Sequence, residues 1–258
     1  MTLKDVGAYG WGSLHADVVA SQTGIELNEL TAKNIRYVIG GGNNFKQITR
    51  FFESAQVKII HWIGSDVMKA VNGECEVYRN AIHWADGFNL LPELEKVGIH
   101  AKMVTWKPRN TPIGPLPLGD RVCVYMPPTR HDFFRYDLMK EVEKEYGRPF
   151  IWLDAKEQDQ NSVDIPALIR QSRVLIRAPI HDGLSHTVME FLVAGRTVLN
   201  TQPLPYCIPI KPTVRDILSK INTKPTPEAP YFWLDFIDKH HVKYALEEIC
   251  KQQEVLIR

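Results

Sequence analysis

The chain has 258 residues, 44% of them hydrophobic and 24% charged, with a formal net charge of +1. That length supports one large domain or two small ones with real cores, and the composition excludes a disordered chain. The near-neutral charge gives no general pull toward nucleic acid or anionic membrane, no apolar run approaches the roughly 20 residues of a membrane span, and the amino terminus lacks a secretory core.

In chain order, GAYGWGSL (Gly7 to Leu14) reads as a glycine-rich loop ahead of a first helix, although it is not a GxGxxG fingerprint. IRYVIGGG (Ile35 to Gly42) is a strand ending in glycines, FKQITRFFESA a helix, and VKIIHWIGSDV a strand running into Gly-Ser-Asp. EVYRNAIHWA reads as helical, GFNLL as a short strand, LPELEKVG as a helix stopped by Gly98, and HAKMVTW as a strand. KPRNTPIGPLPLG, Lys107 to Gly119, holds four prolines and two glycines in thirteen residues and reads as an interdomain linker or, alternatively, as a long surface loop inside one domain. The pattern then restarts. DRVCVYMPP is a strand, YDLMKEVEKEYG a helix, RPFIWLDA a strand and DIPALIRQS a helix. Val174 to Ile180 is a buried strand, Ser185 the N-cap of a helix that Gly195 stops, and TVLN a further strand. YFWLDFIDKHHVKYALEEICKQQ is a terminal amphipathic helix, expected near the interdomain region.

Such alternation predicts an α/β protein with parallel sheets. The expected plan is an N-terminal domain over 1–108, a linker over 109–119, a ligand-binding domain over 120–235 and a terminal helix over 236–258. Cys75, Cys123, Cys207 and Cys250 are scattered without a CxxC pair, so reduced thiols and a cytoplasmic location are expected. The nine histidines show no HExxH-like spacing, and neither a metal nor a cofactor is expected.

The chemistry concentrates in HDGLSHTVMEFLVAGRTVLNTQ, His181 to Gln202. A turn with an acid, Asp182, runs into a helix start, where free amides at Gly183, Leu184 and Ser185 and the helix dipole suit a phosphate. Glu190, about one turn in, suits a ribose diol; equally, the pair reads as a dipole-favouring acid and a solvent-facing glutamate. The stretch resembles the donor-site signature of retaining GT-B glycosyltransferases, the large family (family 4, or group 1) that includes sucrose-phosphate synthase and bacterial mannosyltransferases. Gly183, Glu190, Ala194 and Gly195 match it directly, Asp182 stands where the family usually has Glu, and Arg196-Thr197-Val198 replaces a small residue, proline and valine.

Two further stretches extend the resemblance. YMPPTRHDFFRYD offers Arg130 and Arg135 at the spacing of the family's diphosphate-clamping Arg and Lys, and IIHWIGSDV resembles the HxHGSD element of the first domain. Arg130 and Arg135 also read as surface arginines, and Ser65-Asp66 as a plain helix cap. The resemblance implies a GT-B-like fold, two Rossmann-like domains with parallel sheets facing an interdomain cleft. It implies transfer of a hexosyl or pentosyl unit from a nucleotide diphosphate sugar to an acceptor hydroxyl, with retention and without metal. Arg130 and Arg135 would hold the diphosphate, Glu190 the ribose and Asp182 the transferred sugar. His61, Gly64, Ser65, Asp66 and Gly12 would face the ligands from the first domain. Trp11, Trp62, Trp84 and Trp106 are read as sugar-stacking surfaces or, more ordinarily, as core. The acceptor would be a glycan or small molecule. Two alternatives remain, a degenerate GT-B-fold module that binds without catalysis and a transferase acting on hydroxymethylated DNA bases.

Overall fold

The structure, a computed structural model, describes residues 1–10, 14–27, 33–40, 45–73, 80–127, 130–153 and 164–257. They form two compact units, Met1–Lys107 with Ile237–Arg258, and Pro108–Phe236. In the first unit β1 (Val6–Gly10), α1 (Leu14–Thr23), β2 (Glu26–Leu27), β3 (Ile35–Ile39) and α2 (Phe45–Phe52) lead into β4 (Val57–Trp62). Then come α3 (Ser65–Val71), β5 (Ile82–Ala85), α4 (Leu90–Lys96) and β6 (Ala101–Met103). The second unit holds β7 (Arg121–Tyr125), α5 (Tyr136–Tyr146), β8 (Ile151–Leu153), α6 (Ile165–Gln171), β9 (Ser172–Arg177) and α7 (His186–Val193). It continues with β10 (Thr197–Asn200), β11 (Ile208–Pro209), α8 (Val214–Lys220) and α9 (Ala229–Lys239), whose residues from Ile237 onward are counted with the first unit, as is α10 (Val242–Ile257).

Each unit is built on a parallel sheet, in the orders β2-β1-β3-β4-β5-β6 and β11-β10-β9-β7-β8. Strands β3 and β9 are almost wholly buried, as parallel strands covered on both faces must be. In the second sheet β7 is followed by β8 on one side and then by β9 on the other. The order in which strands are added therefore reverses between the parallel neighbours β7 and β9, and ligands of open α/β sheets bind at such a switch point, beyond the strands' C-terminal ends.

Several local expectations are corrected. Val6–Gly10 is an interior strand, so Gly7 to Gly10 do not form a loop; Trp11 and Gly12 lie outside the described residues. Within EVYRNAIHWA, Ile82–Ala85 is the strand β5 rather than helix, paired between β4 and β6. GFNLL is a turn that opens α4, not a strand. The terminal helix is two helices, because Thr105 splits them: its N–H donates to the His240 carbonyl and its carbonyl accepts from Val242 N. Beyond that break Val242, Ala245, Leu246 and Ile249 join the first unit's core with Trp84 and Trp106. Among the described residues no helix is long and apolar enough to cross a membrane, and Cys123, Cys207 and Cys250 are unpaired thiols.

The proline-rich segment from Pro108 is packed against the second unit rather than left loose. Arg196, 1% exposed, spends its whole guanidinium on it and its surroundings. Nε donates to the Ile169 carbonyl (3.0 Å), Nη1 to Leu116 (2.9 Å) and Ala194 (3.1 Å), and Nη2 to Pro117 (2.6 Å). Gly119 fits only as glycine, since a Cβ there would lie 2.1 Å from the Gln171 carbonyl oxygen. Replacing Arg196 by Met removes its four bonds to backbone carbonyls, those to Leu116 and Pro117 of the proline-rich segment among them. It should lower stability by on the order of 3 kcal/mol, seen as a reduced urea midpoint.

Candidate functional site

Arg177 ends β9 and is in register with Asn200, which ends β10. Its guanidinium carbon lies 4.1 Å from the ring centre of Tyr125, the last residue of β7, and 5.0 Å from that of Phe134. Nε and Nη2 both reach Asp182 Oδ2, at 2.7 and 2.6 Å. The loops after the two switch-point strands are joined as well, since Ile180 N donates to the Phe133 carbonyl (3.0 Å). The sequence reading missed Arg177. The available signal was a lone arginine inside the aliphatic run VLIRAPI, where a buried charge must find a partner.

The α7 start lies beside this pair. Ser185 is the N-cap by position, but its side chain makes no capping bond. Gly183 and Leu184 are buried in the turn ahead of it. At the other end Arg196 N bonds to Phe191 O (2.9 Å) and Gly195 N to Leu192 O (3.0 Å), with Gly195 at φ 72°, a left-handed close that favours glycine.

Glu190 is buried and accepts from Asn110 N at 3.0 Å, with the Asn110 side chain bonding to it as well. It is therefore held by the proline-rich segment in this structure and is not solvent-facing. Burial raises its pKa to about 7, against the lowering effect of the two Asn110 bonds.

The two predicted phosphate cations stand on the loop after β7. Arg130 is exposed, with its guanidinium carbon 3.9 Å from the Phe133 ring centre. Arg135 is the N-cap of α5 at φ 60°, ψ 52°, a left-handed conformation costly for a residue with a side chain. Buried donors without a hydrogen-bond partner among the described residues include three at this edge, Arg135 Nε, Arg177 Nη1 and Asn200 Nδ2, the last beside the Cys207 thiol, a weak acceptor at best. All three belong to residues at the C-terminal ends of β9 and β10 or on the loop leaving β7.

The first-unit candidates are placed differently. His61 is expected to face a ligand, but it is fully enclosed between Tyr37, Trp84 and Trp106. Its Nε2 lies 2.9 Å from the Val104 carbonyl, so Nε2 carries the hydrogen and Nδ1 accepts from the Tyr37 hydroxyl (2.7 Å). Burial lowers its pKa to about 3, which keeps it neutral. Asp66, 3% exposed, accepts from Ile63 N (3.1 Å) and Val67 N (3.1 Å) and so closes its own turn at the start of α3. Gly64 caps that helix and Ser65 is exposed on it. Trp62, Trp84 and Trp106 are core, at 2% exposure or less. Among the described residues no group of three His, Cys, Asp or Glu side chains is placed to hold a metal ion.

No protein-family model and no curated protein sequence matches the chain. Solved structures do match in fold. The crystal structure of TarM aligns at 14% identity and TM-score 0.52, over 88% of this chain and 55% of TarM. A mutant of S. aureus TarM in complex with fondaparinux, α-GlcNAc-glycerol and UDP aligns at 11% identity and TM-score 0.52, over 86% of this chain and 56% of that one. The apo lipopolysaccharide outer core galactosyltransferase WaaB aligns at 12% identity and TM-score 0.50, over 93% of this chain and 96% of its own. The chain has the GT-B fold of these glycosyltransferases, and it spans about 55% of the length of TarM.

The raised Glu190 pKa fixes the sign of a stability effect. Between the ordinary carboxyl range and pH 7 the folded protein holds a proton that the unfolded chain has lost, so stability falls as pH rises through this window. Glu190→Gln should match the parent near pH 4 and exceed it above pH 7 by on the order of 3 kcal/mol, measured by urea unfolding across pH.

Proposed function

We propose that the protein transfers a sugar from a nucleotide diphosphate sugar to an acceptor hydroxyl. The donor binds at the C-terminal edge of the second unit's sheet. The observation that carries this reading is the gathering there of the exposed Arg130 and of two buried donors without partners among the described residues, Arg135 Nε and Asn200 Nδ2, beside a helix start that lacks its side-chain cap. Such a set suits a ligand rich in anionic oxygens. The fold likeness adds support, since one TarM structure contains UDP and WaaB is a galactosyltransferase.

In this account Arg130 and Arg135 neutralise the diphosphate as the glycosidic bond breaks, which is the main electrostatic demand of the step. The amides from Gly183 to Ser185 take further phosphate or sugar oxygens, and Asp182 meets the hydroxyls of the transferred sugar. Glu190 takes the ribose diol by exchanging Asn110 for it. The diphosphate itself accepts the acceptor's proton on the same face, so the reaction retains configuration and needs neither a metal nor a cofactor. The acceptor is a glycan or small molecule, and the cytoplasm is the place of action.

Arg135 supplies the test. Its left-handed backbone is strained for arginine and unstrained for glycine. Arg135→Gly should therefore keep or raise the melting temperature while weakening binding of a nucleoside diphosphate by about tenfold or more. A thermal-shift panel of UDP, GDP, ADP, CDP and dTDP reads both effects, since ligand at 100 times its Kd adds about 2.7 kcal/mol. Stabilisation by one diphosphate, reduced in the variant, supports the proposal. No stabilisation by any of them favours a GT-B-fold module without transferase activity.

A further inference from the structure

The second unit buries two arginines, and they are built for different purposes. Arg196, 1% exposed, gives all three guanidinium nitrogens to backbone carbonyls at 2.6 to 3.1 Å, a fully satisfied structural staple. Arg177, 5% exposed, bonds no carbonyl among the described residues. It presents Nε and Nη2 to one oxygen of Asp182, and Nη1 has no partner among the described residues. A fold-stabilising role alone gives no reason to bury a cation with one nitrogen unmet, because an unmet buried donor costs stability. The ring of Tyr125 lies 4.1 Å from the guanidinium carbon and that of Phe134 5.0 Å, so the cation is held by two aromatic residues at the switch point. Asp182, by contrast, sits on a turn, and its side chain keeps 20% exposure.

We infer that Arg177 is a positioning residue for the transferred sugar: it fixes the Asp182 carboxylate against the end of β9 so that the turn meets the sugar in one orientation. This rests on the donor-site reading above. A carboxylate on a free turn samples several rotamers and pays to order them on binding, whereas one held by two charge-assisted bonds to a stacked guanidinium has already paid. The inference separates the two parts of the donor. Arg177 acts on recognition of the sugar through Asp182, while the nucleotide and diphosphate are held by other groups.

The test compares a nucleotide sugar with its own nucleoside diphosphate, using the pair that binds the parent protein, by calorimetry on Arg177→Met, Arg177→Lys, Asp182→Asn and the Arg177→Met/Asp182→Asn double variant. The expected result is a loss of about tenfold or more in affinity for the nucleotide sugar in Arg177→Met and in Asp182→Asn. Affinity for the diphosphate should stay within about twofold. The double variant should lose little beyond either single change, since both remove one interaction. Arg177→Lys, which keeps the charge but not the fork, should recover part of the loss. Equal losses for sugar and diphosphate, or additive losses in the double variant, overturn the inference and leave the donor-site reading standing. Failure of the parent to bind any nucleoside diphosphate overturns both. Where Arg177→Met does not fold, Arg177→Lys and Asp182→Asn decide the matter by the same ratio.

Discussion

A parallel sheet covered on both faces has nowhere to put polar groups except its two ends. That constraint organises both units. Every paired strand described here is parallel, and the residues of β3 and the last four of β9 are buried. Polar side chains that cannot be core must then gather at strand ends, and in the second unit they do so where β7 and β9 diverge. Arg177 and Asn200 are register partners there, Tyr125 and Phe134 stack with the arginine, and the following turn brings Asp182 back onto it. The first unit resolves the same demand inwardly: His61 bonds to the Tyr37 hydroxyl and to the Val104 carbonyl within the core, and Asp66 closes its own turn.

Two carboxylates that look alike in sequence thus meet different surroundings. Asp182 is held by a cation and partly exposed, while Glu190 is buried, held by Asn110, and raised to about pKa 7. The proline-rich segment is the cause of the second. Arg196 at one end and Glu190 at the other fasten it to the second unit, so a stretch whose composition denies it helix and strand is nonetheless fixed in place. Any ligand that engages Glu190 must contend with Asn110.

Much of the architecture was legible because buried parallel strands announce themselves as aliphatic runs: IRYVI, VKIIHW, RVCVY and TVLN are all strands. The failures are short elements whose identity is set by neighbours. IHWA follows polar residues and matches no strong period, yet pairing with β4 and β6 makes it a strand. The break between α9 and α10 is equally invisible locally, since it is made by Thr105, more than a hundred residues upstream. The site divides along the same line. The turn and helix at Asp182 to Glu190 follow from local chain chemistry. The Arg177 fork, the Asn110 bond to Glu190 and the enclosure of His61 are tertiary facts that no spacing rule carries. Arg196, a departure from the family's motif when read in sequence, is explained once its four carbonyl partners are seen.

The central claim is that a nucleotide diphosphate sugar binds at the C-terminal edge of the second unit's sheet. Hydrogen exchange with and without a saturating nucleoside diphosphate tests it most directly. The account predicts slowed exchange in peptides covering residues 126–136 and 178–190. Slowed exchange confined to other segments of the chain, with these two unchanged, would contradict it.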